Sequence, residues 1–198
     1  MKAAMLPILA LTAAITISLA GCNAQDTDQA PAVEPAKQSS LSVFLGLHKQ
    51  FCEQDFSSRE LLVSALQADK RFRPAPGFMG VYETSINGIS YAVSPEVDGC
   101  TTDVMVQNKE TGEVLFSYDE MNQALLAKGY QTVGEVTTRQ DMGSDQQEVT
   151  ILEKTFVSPL GETTNLDYPQ DRLDKYYMTL FAKKFSQLAP SEALSLNN

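Results

Sequence analysis

Between Phe44 and Leu66 the apolar positions recur every three to four residues, the spacing of one helix face. Phe44, Leu47, His48, Phe51 and Cys52 line up on the first such face, behind serines able to cap the opening turn, so the side chain of Cys52 is expected to point inward. A second helix is predicted from Ser57, whose hydroxyl can accept from the amide of Glu60 while that carboxylate reaches back. Leu61, Leu62, Ala65 and Leu66 form its apolar stripe. Pro74-Ala75-Pro76-Gly77 ends the pair.

Beyond Val81 the period drops to two, which reads as strands. Asn87-Gly88 is a strong two-residue turn signal, because both central positions of a type I′ turn need positive φ. It pairs Ile86 with Ile89, Thr84 with Tyr91 and Tyr82 with Val93, all on one face. Asp98-Gly99 is read as a second turn of that kind, pairing Val97 with Cys100, Val93 with Val104 and Tyr91 with Val106. The two registers agree in keeping one face apolar, with Val81, Glu83, Ser85, Ser90, Thr101 and Asp103 mostly polar behind it. A one-residue slip of either turn would scramble that division.

Asn108 to Gly112 reads as a turn, and Ser117 with Glu120 repeats the capping-box pattern ahead of Met121, Ala124 and Leu125, with Gly129 as the stop. Glu135 to Gln140 and Gln147 to Val157 are rich in Val, Thr, Ile and Phe and predict a hairpin around residues 141–145. Leu173 to Phe185 fits both a helical stripe and a strand, and the strand is preferred because it would complete a second meander. The expected fold class is therefore α+β. It has an antiparallel sheet of about five to six strands, with the N-terminal helical pair and one further helix packed on one face.

The start of the chain is of another kind. Met1-Lys2 is followed by the apolar run Ala3 to Ile17 and then by small residues before Cys22, the layout of a secretory leader and too short for a spanning helix. Leu19-Ala20-Gly21-Cys22 resembles the lipobox of bacterial lipoproteins. That resemblance implies cleavage before Cys22, diacylation of its thiol and acylation of the new amine, which hold a soluble domain durably to a bilayer. In that family an aspartate after the cysteine favours inner-membrane retention. Asn23 stands there, so the resemblance implies the outer membrane, facing the periplasm. It covers only residues 1–22; the remainder is similar in layout to small uncharacterised proteobacterial envelope lipoproteins.

This reading divides the chain into a leader (1–21), the acylated cysteine with a disordered tether (22–40), one globular domain (41–188) and a flexible tail (189–198). The tether follows from its Pro, Ala, Gln and Asp content and its lack of apolar periodicity. Of 15 basic residues only Lys2 precedes Cys22, whereas all 25 acidic residues follow it, leaving 14 against 25, or −11. That balance argues against nucleic acid and anionic lipid head groups as partners. With Cys22 consumed by acylation in an oxidising compartment, Cys52 and Cys100 are expected to form a disulfide.

Candidate chemistry is sparse. His48 and Cys52, four apart on one helix face, have the spacing of a base and a thiolate nucleophile, and Cys100 would add a third zinc ligand. The disulfide would remove both options. Asp141, Asp145 and Glu148, and Asp167, Asp171 and Asp174, are acidic clusters that do not reproduce a calcium loop and read as solvated turns. No phosphate-cradling loop, dinucleotide fingerprint or glycine-flanked nucleophilic serine is present. No catalytic residue, cofactor or metal is assigned. Tyr118, Tyr130, Tyr168, Tyr176, Tyr177, Phe72 and Phe78 are core residues by default, and some are expected in a groove between sheet and helices. These readings point to a non-catalytic accessory module that binds an envelope protein, a peptide or a small ligand. The alternative is an envelope hydrolase built on an acidic pair drawn from distant positions.

Overall fold

The computed structural model describes residues 39–143 and 145–184. The leader, Cys22, almost all of the tether and the tail lie outside the described residues.

The first helix, α1 (Ser40–Leu47), begins at Ser39, whose hydroxyl accepts from the amide of Ser42, and runs into a wider π-helical turn over His48–Cys52. Phe44, Leu47, His48, Phe51 and Cys52 are all buried, the face their spacing predicts. Helix α2 (Arg59–Ala68) is capped by Ser58 rather than Ser57. The one-residue shift buries Leu62 and Leu66 and leaves Leu61 half exposed, so the apolar stripe is narrower than expected. Helix α3 (Tyr118–Ala127) opens on the predicted capping box between Ser117 and Glu120 and buries Met121 and Leu125.

Eight antiparallel strands form one sheet, not five or six: β1 (Arg73–Pro74), β2 (Tyr82–Ile86), β3 (Ile89–Pro95), β4 (Gly99–Met105), β5 (Gln131–Met142), β6 (Glu148–Val157), β7 (Thr163–Pro169) and β8 (Tyr177–Lys183). Their order is β1-β2-β3-β4-β8-β7-β6-β5. Two four-stranded meanders thus meet where β4 pairs with β8, over seven residue pairs from Gly99–Lys183 to Met105–Tyr177. At that junction Gly99 allows close approach. A Cβ there would lie 2.2 Å from the carbonyl oxygen of Ala182 and 2.8 Å from the ring of Phe181.

The Asn87-Gly88 hairpin has the predicted register, and both turn residues have positive φ, 55° and 80°. The Asp98-Gly99 hairpin does not. Cys100 pairs with Pro95, Thr102 with Val93 and Val104 with Tyr91, two residues away from the expected register, because Glu96 to Gly99 form a longer turn closed by the Glu96 amide on the Gly99 carbonyl. A shift of two preserves side-chain parity, so the same face stays inward.

That face carries Tyr82, Tyr91, Val93, Cys100, Thr102 and Val104 from the first meander and Met178, Leu180, Ala182, Leu166, Tyr168 and Phe156 from the second. The buried side chains of α1, the π turn, α2 and α3 join the same apolar cluster. All three helices therefore cover one side of the sheet. Edge strand β5 is mostly exposed and breaks register between Val133 and Thr137.

Candidate binding face of the sheet

Strand pairing aligns one row of side chains across all eight strands on the side away from the helices. Reading partner to partner, Arg73 faces Glu83, Glu83 faces Ala92, Ala92 faces Asp103, Asp103 faces Thr179, Thr179 faces Asp167, Asp167 faces Glu153 and Glu153 faces Thr137. Directly paired residues project to the same side. Asp103 and Asp167, each one strand from Thr179, therefore have Cα atoms about 10 Å apart.

Two adjoining depressions sit on this row and share Thr179. The larger, 610 Å³, is lined by residues including Glu135, Glu153, Lys154, Asp167 and Phe181. The other, 490 Å³, has Asp103, Glu83 and Ser94 among its lining residues, and Phe78, Tyr176 and Tyr177 contribute aromatic surface. Phe78 and its neighbour Met79 lie on the loop between β1 and β2 and are exposed at 69% and 101%.

The carboxylates of the row have different partners. Arg73 bonds Glu83 at 2.9 Å. Arg139 donates to three acids at once: Glu153 at 2.8 Å, Asp141 at 2.5 Å and Asp167 at 2.7 Å. The bond to Glu153 is the main reason its guanidinium is held above its ordinary value. Desolvation pushes the Asp167 carboxyl upward, opposed by Arg139, whereas the Tyr176 hydroxyl, which donates to Asp141 at 2.5 Å, is the first cause that draws Asp141 downward. Asp103 has no cationic partner among the described residues. It accepts from the hydroxyls of Thr179 at 2.6 Å and Thr101 at 3.3 Å, and desolvation pushes its carboxyl up to about 6.

The sequence-predicted candidates fall elsewhere. His48, Cys52 and Cys100 do converge, on the helix side of the sheet, where Thr102 Oγ1 lies 3.0 Å from His48 Nδ1 and 3.4 Å from Cys52 Sγ. Cys52 and Cys100 are disulfide-bonded, with Cα atoms 5.2 Å apart, so neither sulfur is a free thiolate for nucleophilic attack or zinc. Burial, assisted by Lys184, lowers His48 to about 3 and keeps it neutral.

The acidic clusters come apart into separate pairings. Asp145 pairs with Arg172, Asp171 accepts from the Thr150 amide and Asp174 pairs with Lys175, while Asp167 belongs to β7 rather than to a turn. Among the described residues no group of three or more His, Cys, Asp or Glu side chains is arranged to hold a metal ion. Of the seven aromatics, Phe72, Tyr130 and Tyr168 are buried, and the two most exposed, Phe78 and Tyr177, line the open sheet face instead of a groove beside the helices.

Asp103 was legible as a polar-face position, but its role was not. Its neighbours Thr179 and Asp167 arrive from about 65 to 75 residues away through the β4–β8–β7 pairing, and no local pattern encodes that. Compared with protein-family models, curated proteins and solved structures, the chain gives no match.

Proposed function

We propose that this chain is a membrane-anchored accessory protein of the cell envelope, tethered through acylated Cys22 at the outer membrane and facing the periplasm, and that it works by binding through the open face of its sheet. One observation carries the reading. Every strand places a residue in a single transverse row on the face that no described helix covers, beneath two adjoining depressions with aromatic and carboxylate walls. Concave sites of several hundred Å³ with a few convergent polar groups are the common form of a ligand site.

The anchor makes its own prediction: Cys22→Ser should move the protein out of the membrane fraction or stall its processing. Unchanged fractionation would remove the tether. The binding face is tested by placing a photo-cross-linking amino acid at Met79 or Thr155 on the open side, and at the exposed Ser64 of α2 as control, in intact cells. Adducts to an envelope component at the first two positions alone support the reading; equal yields at all three overturn it.

A second reading, an envelope hydrolase, is favoured only by Asp103 and Asp167 flanking Thr179. One carboxyl is raised to about 6, and the other, also pushed upward by desolvation, is bonded to Arg139, which favours its ionised form. Loss of a hydrolytic activity in both Asp103→Asn and Asp167→Asn, with folding intact, would promote it over binding.

A further inference from the structure

Four carboxylates stand in the transverse row, and three of them are ion-paired with an arginine of the protein. Glu83 has Arg73, while Glu153 and Asp167 share Arg139. Asp103, between them, has two threonine hydroxyls and no cation among the described residues. Lys175 lines the same depression, yet its ammonium pairs with Asp174 at 3.5 Å and not with Asp103. A desolvated carboxylate without a counter-charge is costly, since hydroxyl donors replace only part of what water or a cation would supply.

The walls above Asp103 add a second requirement. Phe78 and Tyr177 are exposed at 69% and 48%, and Tyr176 stands beside them with its hydroxyl already committed to Asp141. Three ring systems around an uncompensated anion form a surrounding suited to a cation on an apolar stem: the carboxylate takes a charge-assisted hydrogen bond and the ring faces attract the same charge. A volume of 490 Å³ fits a small molecule.

Resting on the open face as the binding surface, we propose that the depression over Asp103 binds a small organic amine, with its primary ammonium on the Asp103 carboxylate and its apolar body against Phe78, Tyr176 and Tyr177. The ammonium supplies the counter-charge that the row lacks at this position. Thr101 and Thr179 fix the carboxylate so that its remaining acceptor directions are free for that donor.

The test is an NMR titration of the full-length chain with benzylamine and with its uncharged analogue benzyl alcohol. Benzylamine is expected to bind about tenfold or more tightly, the scale of one charge-assisted hydrogen bond, with shifts centred on Asp103, Thr179 and Tyr177. Asp103→Asn should bring the two probes to within about twofold of each other. Tyr177→Ala, at a half-exposed position, should weaken both while preserving their ratio. Equal affinity of the two probes overturns the amine assignment and leaves the binding face standing. Shifts centred on Asp167, or an ammonium preference that survives in Asp103→Asn, overturn it as well. Absence of binding by either probe overturns it too, and the cross-linking result decides separately whether the face itself binds.

Discussion

The two faces of the sheet obey the same alternation and reach opposite outcomes. On the helix side β2, β3, β4, β6, β7 and β8 send apolar side chains into one shared cluster, and even the polar Thr102 and His48 are fully enclosed and bonded to each other. On the open side the same strands present Glu83, Asp103, Thr101, Thr179, Asn165, Asp167 and Glu153, joined by hydroxyl and guanidinium bonds and lined with depressions. The first face holds the fold together. The second carries charge that the fold does not need, and at Asp103 charge that works against it.

Substitutions on the two faces should therefore differ most in size. Phe44→Ala removes a fully buried ring that packs 6.3 Å, centroid to centroid, from Phe116, and is expected to cost about 3–5 kcal/mol of unfolding free energy. Thr155→Ala on the open face should stay within about 0.5 kcal/mol. Urea denaturation of both variants checks the contrast, and comparable losses would break it.

The disulfide fastens the helical layer to that inner face. Joining residues 48 apart, it should contribute about 4 kcal/mol in the chain-entropy model, so Cys52→Ala/Cys100→Ala is expected to lower the denaturation midpoint strongly. Mass spectrometry of the non-reduced protein should show both thiols protected from alkylation. Free labelling of both in protein purified without reductant would reopen the zinc and nucleophile readings of His48 and Cys52.

A smaller effect comes from His48, which is held near 3 in the folded state against an ordinary 6.5. The unfolded chain takes the proton first, so stability is undiminished above pH 6.5 and falls by up to about 1.4 kcal/mol per pH unit below it, until the folded histidine titrates. His48→Phe should flatten the acid limb of the stability profile relative to the parent between pH 6.5 and 4. An unchanged limb would mean that His48 is not enclosed.

How far the sequence carried these distinctions depended on range. Asn87-Gly88 set its own register because a two-residue turn needs positive φ at both places, and no distant contact competes with that. At Asp98-Gly99 the chain took a longer turn, yet the inner face survived because parity repeats every two residues. Strand β1 has two residues, one a proline, and β7 alternates only Leu166 and Tyr168 with threonine, asparagine and aspartate, so neither carries a strong strand signal. The binding row was unreadable for a different reason. It exists only after β8 inserts between β4 and β7, bringing Asp103, Thr179 and Asp167 into line from far apart in the chain.

On the proposed binding face, stability is given up for a charge held ready for a ligand, and Asp103 is where that cost falls. Its folded value of about 6 lies above the ordinary 3.8. Protonation therefore favours the folded state: the contribution is complete below about 3.8 and is lost as pH rises through about 6. Unfolding free energies of the parent and of Asp103→Asn, measured by urea titration at pH 7 and pH 4 without ligand, decide the matter. The variant is expected to be more stable by on the order of 1–2 kcal/mol at pH 7, with the gap shrinking toward zero at pH 4. A variant equal to or less stable than the parent at pH 7 would contradict it.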